Sequence, residues 1–387
     1  MPNSPAVPPE RKPLIVLCVI AALMLMYATL WPFNPYPANG VSWLPGANGV
    51  RFQHSGVIYS DGPLKAAATQ PVGDACAIEI YFRPVTPRDD AGNFLTFSSD
   101  DNPAAVFLRQ WQNTLLIDRE RPINGSGPRF IELEVDEVLR ADHPVLITVS
   151  SGPQGTAVYI DGKLAGGAGH YQIPRSELYR QIVLGNSASD FQVWHGELYG
   201  LAVYDDEISP SDAAAHFAAW SAGSSSSSAI DTSHVIARYD LRGRSGSTIP
   251  SEVGSAPPLI IPPHFSIPRK PLLDSPIDEF EWTASWRRDV IENILGFMPF
   301  GFVLCGLFAL SRPRGRAILM AILVGGLLSL TVESLQYYIP RRDSSLTDVI
   351  TNTTGTLLGA LIAHPELVRF ALRLAFLIPW KRKSEAT

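Results

Sequence analysis

The chain has 387 residues, of which 46% are hydrophobic and 18% are charged, and its formal net charge is −6. This length allows two or three domains. The acidic balance and the lack of a long basic stretch exclude nucleic acid as an expected partner. The three cysteines are far apart and show neither a disulfide framework nor metal-ligand spacing. We therefore expect no metal and no cofactor.

The first apolar run, residues 14–31, contains no charged residue and is just long enough to span a bilayer. Arg11 and Lys12 precede it, as in a secretory signal. However, the run is longer than a normal signal core, and no small-x-small cleavage site follows before Trp31. The sequence predicts a cytoplasmic N-terminus at residues 1–13 and an uncleaved first transmembrane helix at residues 14–31.

Residues 40–222 show short runs of β-branched and aromatic residues broken by turn signals, which predicts a β-sandwich. Asp161-Gly162 is a strong hairpin signal. Alternation around Cys76 predicts a buried strand residue. Ser209 is a plausible N-cap and Pro210 the first residue of one closing helix. The predicted strands are residues 50–52, 75–82, 93–97, 104–108, 114–117, 130–133, 145–149, 156–160, 181–184 and 200–204.

This part of the chain resembles a laminin-G-like, concanavalin-A-like jelly roll. The resemblance is carried by residues 143–149, 157–163, 182–186, 194–204 and 208–212. It implies the fold but not the ligand, because the superfamily includes sugar binders, protein binders and enzymes.

An enzymatic alternative rests on Glu132, Glu134 and Asp136, which alternate on one strand face as glycosidase carboxylates do. Glu137 falls on the opposite face, out of the register of those enzymes, so a solvent-facing acidic strand is the simpler interpretation. Trp111, Tyr171 and Trp194 are either sugar-stacking or core residues.

Residues 223–288 follow as a Ser/Pro-rich linker, flexible at its serine run and containing one possible extra strand at residues 235–240.

Three further apolar runs, residues 290–310, 317–336 and 347–363, predict transmembrane helices 2–4. Their polar residues gather at one end. Ionisable residues at membrane depth cost about 2.5–3.5 kcal/mol each, which makes them candidate functional residues. Gly355 and Gly359 predict close helix contact. The candidate site consists of Asn293, Glu333, Gln336, Arg341, Arg342, Asp343, Asp348 and Asn352.

Basic residues near the apolar runs predict the topology, because they concentrate on the cytoplasmic side. Both termini then lie inside, and the sandwich lies in the periplasm or outside the cell. Residues 364–387 become an amphipathic interfacial helix and a basic tail, since Arg369 and Arg373 share one helical face. The inner basic residues are Arg11, Lys12, Arg312, Arg314, Arg316, Lys381, Arg382 and Lys383.

Residues 289–363 resemble the VanZ-like membrane protein family, with the sandwich as an insertion between the first and second helices. The resemblance is carried by Asp289, residues 293–301, 329–336, 340–345 and 348–355. It implies a four-helix transmembrane bundle in the bacterial cytoplasmic membrane. It also implies a link to the cell envelope and to glycopeptide antibiotic tolerance.

Four roles are open for the polar cluster. It is a structural network in which Glu333 or Asp348 pairs with Arg341 or Arg342, or a pocket for an anionic lipid headgroup held by the arginines. It is otherwise an intramembrane enzyme with Glu333 or Asp348 as general base, or part of a transporter.

We expect a non-enzymatic envelope protein with no catalytic residue assigned. Its cluster binds a polyprenyl-phosphate or lipid-linked saccharide, and its jelly roll binds glycan or an envelope protein. The alternatives are an enzyme acting on a lipid-linked precursor and a purely structural or adhesion module. The expected partners are membrane lipids and a glycan or protein, without nucleic acid.

Overall fold

The structure is a computed structural model that divides the chain into two compact units. One comprises Met1–Pro35 with Pro271–Thr387, and the other is Tyr36–Lys270, inserted into the first in chain order. The described residues are 8–66, 73–85, 91–120, 130–140, 143–223, 234–277, 279–280 and 282–376. The predicted serine run beyond residue 223 and the basic tail at 381–383 lie outside these residues.

The inserted unit is a β-sandwich of two eight-stranded sheets, paired throughout as antiparallel strands. Its strands are β1 Val41–Trp43, β2 Val50–Phe52, β3 Ile58–Pro63, β4 Cys76–Pro84, β5 Gly92–Ser98, β6 Val106–Trp111, β7 Thr114–Glu120, β8 Phe130–Val135, β9 Val145–Gly152, β10 Gly155–Ile160, β11 Lys163–Ala168, β12 Gln181–Leu184, β13 Gly196–Tyr204, β14 Val235–Asp240, β15 Thr248–Ile249 and β16 Leu259–Ile260. The first sheet has the order β1-β2-β13-β4-β9-β10-β11, with β14 also paired to β13, and the second has the order β15-β16-β3-β12-β5-β6-β7-β8.

The core lies between the two sheets and follows from strand alternation. Cys76, Ile78, Ile80 and Phe82 alternate along β4 and are all buried, which confirms the prediction for Cys76. The ring of Phe82 stacks on that of Phe94 with centroids 4.9 Å apart. The hairpin between β10 and β11 turns at Asp161-Gly162 as predicted, with φ angles of 51° and 75°.

The other face of the first sheet is covered by helix α2, Pro210–Ala222, whose N-cap is Ser209 and whose first residue is Pro210, as predicted. Under it lies Glu79, whose side chain is fully buried. Its Oε1 accepts a hydrogen bond from Thr148 at 3.1 Å and contacts Nδ1 of His216 at 2.9 Å. Its Oε2 accepts from the hydroxyl of Tyr204 at 2.7 Å and from the indole of Trp220 at 3.1 Å. This one carboxylate therefore ties α2 to the sheet.

The sandwich extends beyond residue 222, because residues 235–260 supply β14, β15 and β16 to its sheets. The two ends of the unit also lie side by side. The amide of Phe265 donates to the carbonyl of Pro37 at 2.9 Å, and the amide of Asn39 donates to that of Pro263 at 3.1 Å. The chain thus enters and leaves the sandwich at neighbouring positions.

The other unit is helical, with α1 Arg11–Leu30, α3 Ala284–Ala309, α4 Arg314–Gln336, α5 Leu346–Ile362 and α6 Pro365–Phe376. The helices α1, α3 and α4 are long and apolar enough to cross a membrane, so the chain is an integral membrane protein. The 17-residue helix α5, Leu346–Ile362, overlaps the predicted fourth span, residues 347–363, and is offset from it by one residue at each end.

The helices α3 and α5 approach each other closely at glycines. A Cβ atom on Gly355 would overlap the carbonyl oxygen of Ile294, and one on Gly359 would overlap that of Met298. Glycine lets two helix backbones come into contact without side chains between them. The predicted contact through Gly355 and Gly359 is therefore confirmed, and α3 is its partner.

Candidate functional site

The site begins on one face of α4, near its C-terminal end. Ser329, Glu333 and Gln336 follow one another at helical spacing, and all three are buried. Gln336 Nε2 donates a hydrogen bond to the backbone carbonyl of Thr29, near the end of α1, at 3.0 Å. The polar face of α4 is thus turned toward its neighbours rather than toward lipid.

Glu333 joins the end of α4 to the beginning of α5. The amide of Ser345 donates to Glu333 Oε2 at 3.0 Å, while Ser345 Oγ accepts from the amide of Asp348 at 3.1 Å. Ser345 is therefore the N-cap of α5. The Glu333 carboxylate and Asp348 both lie where the positive end of the α5 dipole stabilises negative charge.

Asp348 and Asn352 lie one turn apart on α5 and contact both neighbouring helices. Asn293 Nδ2 on α3 donates to Asp348 Oδ1 at 2.7 Å. Asn352 Nδ2 donates to Ser329 Oγ on α4 at 3.0 Å. The Asn352 side chain is buried, and its Oδ1 has no hydrogen-bond partner among the described residues.

The loop between α4 and α5 contains Arg341, Arg342 and Asp343. Arg342 Nε donates to the carbonyl of Trp31 at 2.9 Å, and its terminal nitrogen donates to that of Ala28 at 3.3 Å. This guanidinium therefore caps the C-terminal end of α1. Among the described residues, the hydrogen bonds of the Glu333 and Asp348 carboxylates come from uncharged donors, the amide of Ser345 and the side chain of Asn293.

Sequence reasoning missed Glu279, which precedes α3. Its Oε2 accepts hydrogen bonds from Ser345 Oγ, at 2.6 Å, and from the Thr347 hydroxyl. Burial raises the pKa of Glu279, the two hydroxyls lower it, and the negative charges of Asp274 and Asp343 raise it further. The only signal in the sequence is an acidic residue shortly before an apolar run, which is too common to single it out.

The segment that carries Glu279 runs beside the start of α5. The amide of Asp274 donates to the carbonyl of Ser344 at 2.8 Å, and the amide of Leu346 donates to the carbonyl of Asp274 at 3.0 Å. These two bonds hold Asp274 against the N-terminus of α5, and the amide of Glu279 donates to the carbonyl of Ser275 at 3.0 Å.

These elements enclose a cavity of about 620 Å³ whose lining includes all eight predicted site residues. The lining also contains Glu279, Asp289 and Glu292, so that it includes six carboxylate-bearing and two guanidinium-bearing residues. Arg288 offsets one carboxylate, since it pairs with Glu292 at 2.6 Å. The cavity wall is therefore predominantly negative and rich in hydrogen-bond acceptors.

Aromatic side chains surround the same end of the helices. Tyr27, Trp31 and Phe33 form one group of ring contacts near the end of α1. Phe280, Trp282 and Trp286 form another at the start of α3, and Arg287 lies over the Trp282 ring at 5.6 Å. Tyrosine and tryptophan are enriched where a membrane meets water. This distribution is typical of the headgroup level.

The acidic residues of strand β8 lie on the surface of the sandwich. Glu132 pairs with Arg109 at 2.8 Å, Asp136 accepts from Thr114 at 3.1 Å, and Glu134 is exposed. The arrangement agrees with a solvent-facing strand edge.

Of the sugar-stacking candidates, Tyr171 and Trp194 are buried in the sandwich core and Trp111 is exposed. In the described part of the chain, no three His, Cys, Asp or Glu side chains are close enough together to hold a metal ion.

Fold and cavity together define an integral membrane protein that carries an inserted β-sandwich and a polar cavity at one end of its helices. Residues 252–369 match the VanZ/LLP1 family, and the chain therefore contains a VanZ/LLP1 domain. No curated protein matches the chain in sequence.

Several solved structures are similar to the sandwich. A heptameric SAP-like pentraxin from Limulus polyphemus is 15% identical, covers 41% of this chain and 80% of its own, and has a TM-score of 0.29. A candidate carbohydrate-binding protein from Bacteroides ovatus is 12% identical, covers 55% of this chain and 62% of its own, and has a TM-score of 0.34. The ligand-binding domain of botulinum neurotoxin serotype D, in complex with N-acetylneuraminic acid, is 11% identical. It covers 47% of this chain and 45% of its own, with a TM-score of 0.34. The chain thus spans less than two thirds of the last two proteins.

Proposed function

We propose that this chain is a non-enzymatic protein of the bacterial cell envelope whose cavity binds the headgroup of a membrane lipid. The convergence of all eight polar residues on one cavity, at the level of the aromatic side chains, carries the proposal. An envelope lipid presents its polar head at that level while its chains remain among the apolar faces of the helices.

In this proposal α5 is the fourth transmembrane helix, and α1, α3, α4 and α5 form a four-helix bundle in the cytoplasmic membrane. Both termini are cytoplasmic, and the sandwich is periplasmic or extracellular. The basic residues support this topology, because Arg11, Lys12 and Arg314 lie at the starts of α1 and α4, opposite the cavity. Arg369 on α6 is at the same end, 3.6 Å from Glu10.

The charge of the wall favours one kind of headgroup over another. A bare phosphate would be repelled by most of the wall, because carboxylates outnumber guanidinium groups. A saccharide or another head rich in donors can bond to the carboxylates and amides, while a linking phosphate lies beside Arg341 and Arg342. We therefore favour a lipid-linked saccharide over a polyprenyl phosphate.

Mass spectrometry of the lipids retained by the gently purified protein tests the proposal. Asp348→Asn and Glu333→Gln keep the side-chain shape and remove negative charge, and we expect each to reduce the retained headgroup about tenfold, which corresponds to about 1.4 kcal/mol. Thr354→Val is the matched control, since the Thr354 hydroxyl donates to the carbonyl of Ile350 in its own helix and Thr354 does not line the cavity.

Three results would contradict the proposal. Ordinary phospholipids retained equally by all variants indicate a structural cluster. Unfolding of both variants without any change in the retained lipid also indicates that the polar cluster is structural. Turnover of a lipid-linked substrate that is lost in the variants indicates the enzyme alternative.

For the sandwich we propose a jelly roll that binds glycan or an envelope protein. Trp111, 43% exposed at the turn between β6 and β7, is the aromatic surface best suited to stack on a sugar. Retention of the full-length protein on glycan and peptidoglycan arrays, with Trp111→Ala as the variant, tests this. Equal retention of both proteins would exclude Trp111 as the sugar-binding residue.

A further inference from the structure

One buried acceptor in the cavity wall, Asn352 Oδ1, has no donor among the described residues. Asn352 is 2% exposed, and its Oδ1 has no hydrogen-bond partner among the described residues, although its Nδ2 is bonded to Ser329. A buried carbonyl oxygen left without a donor has lost its hydrogen bond to water with nothing in exchange, which destabilises the protein. The position therefore favours a ligand that donates a hydrogen bond to it.

Two carboxylates near Asn352 also have capacity to accept. One oxygen of Glu333 accepts from the amide of Ser345, and one oxygen of Asp348 accepts from Asn293. Each carboxylate retains a second oxygen, and neither of these two contacts neutralises the negative charge. A donor placed among these groups meets acceptors on two sides.

Helix geometry brings the three acceptors together. Glu333 lies one turn after Ser329 on α4, and Asp348 lies one turn before Asn352 on α5. The contacts from Glu333 to the start of α5 and from Ser329 to Asn352 connect the two helices at successive turns. Glu333, Asp348 and Asn352 all line the cavity. They define one segment of it, in which Asp348 and Asn352 are a single helical turn, about 5.4 Å, apart along α5.

We propose that this segment binds a protonated primary amine carried by the headgroup. The three N–H donors of an ammonium group match the three acceptors, and its positive charge compensates the carboxylates. A sugar hydroxyl would satisfy Asn352 but leave the charge uncompensated. A divalent metal ion is a poorer fit, because in the described part of the chain no three His, Cys, Asp or Glu side chains lie close enough together to hold one. The inference rests on the proposed headgroup binding and specifies which chemical group of the headgroup binds at Glu333, Asp348 and Asn352.

A headgroup with both an amine and a phosphate would use both parts of the cavity. Its ammonium would lie among Glu333, Asp348 and Asn352, and its phosphate would lie near the loop that carries Arg341 and Arg342. Two sources provide this chemistry, an ethanolamine phospholipid and a lipid or soluble compound with an amino sugar.

Native mass spectrometry of the delipidated full-length protein tests the inference. The probes are phosphatidylethanolamine, phosphatidylcholine and phosphatidylglycerol with identical acyl chains, and a polyprenyl phosphate. We expect phosphatidylethanolamine to bind at least about tenfold more tightly than the other three. Asn352→Leu and Asp348→Asn should abolish this preference, whereas Thr354→Val should retain it. Because Asn352→Leu also removes the bond to Ser329, Asp348→Asn provides the variant that retains its side-chain shape.

Soluble competitors identify the source of the amine. Displacement by glucosamine but not by N-acetylglucosamine supports an amino sugar, whereas displacement by neither supports the lipid ethanolamine group. Equal displacement by both competitors overturns the inference, because the acetylated nitrogen carries no charge.

The remaining outcomes separate the two proposals. If phosphatidylglycerol, phosphatidylcholine or the polyprenyl phosphate binds as tightly as phosphatidylethanolamine and depends on Asp348, the amine inference fails and headgroup binding stands. If none of the four lipids responds to Asp348→Asn or Asn352→Leu in protein that remains folded, the amine inference fails, and if the lipids retained by the gently purified protein are also the same in these variants, headgroup binding fails with it.

Discussion

Replacing Glu79 by leucine should destabilise the β-sandwich strongly although the residue is remote from the cavity residues in sequence. The leucine retains most of the apolar volume but removes the acceptor of Thr148, Tyr204 and Trp220 and the partner of His216. All four partners are buried or nearly so, so solvent does not readily replace the lost carboxylate.

The magnitude follows from the number of groups left without a partner. Each buried donor that loses its acceptor costs about 1–3 kcal/mol, which for four contacts sets an upper range on the order of 4–12 kcal/mol. Hydroxyl groups can rotate toward other acceptors, and removing one member of a buried charged network typically costs about 3–5 kcal/mol. We expect about 3–5 kcal/mol, which lowers the Tm of a domain this size by about 6–20 °C.

Urea unfolding of the full-length protein in detergent, followed by tryptophan fluorescence, measures the effect, because Trp220 donates directly to Glu79. Glu134→Leu is the control, since Glu134 is exposed on β8 and its loss should change stability by less than about 0.5 kcal/mol. A loss below about 1 kcal/mol for Glu79→Leu, or equal losses in both variants, would refute the role given to this carboxylate.

Two further substitutions test the packing of the helices and the electrostatics of the sandwich. Gly359→Ala places a Cβ against the carbonyl of Met298 and should destabilise the contact between α3 and α5 by about 1–3 kcal/mol, whereas Gly296→Ala, which adds a Cβ in open space, should not lower the Tm in detergent. Burial raises the pKa of Asp118 to about 6, so the folded state binds the proton of this carboxyl group more tightly than the unfolded state does. Protonation of Asp118 therefore stabilises the folded state at low pH, and this stabilisation is lost as the pH rises from about 4 to about 6. The stability of Asp118→Asn relative to wild type should therefore increase by about 2 kcal/mol from pH 4 to pH 7, and a constant difference in urea unfolding would contradict this.

Strand alternation predicted much of the sandwich but not what covers it. The burial of Cys76, Ile78 and Ile80 on β4 follows from their period of two. The same period places Glu79 on the opposite face, where a charged residue normally meets water. It is buried because α2, far along the chain, supplies Trp220 and other donors to it. Contacts of this kind depend on tertiary packing, which local patterns do not encode.

For the candidate site, the sequence predicted which residues lie together but not which groups they contact. Helical spacing predicts that Glu333 shares a face with Gln336, and the short loop to α5 brings Asp348 nearby. Spacing does not predict the partners of these groups. Arg342 bonds to carbonyls near the end of α1, and Glu279 reaches the site from a proline-rich segment. Both depend on how distant segments fold back on the helices.

The paired ends of the sandwich have a consequence for assembly of the helices. Bringing the ends of a flexible chain together costs about 0.6 kcal/mol for every doubling of its length. Once Pro37 is bonded to Phe265 and Asn39 to Pro263, the folded Tyr36–Lys270 unit holds its own ends together. Compared with an unfolded segment of that length, this saves about 3 kcal/mol in the association of α1 with α3. In terms of loop-closure entropy, the folded inserted domain therefore connects α1 to α3 as a much shorter loop would.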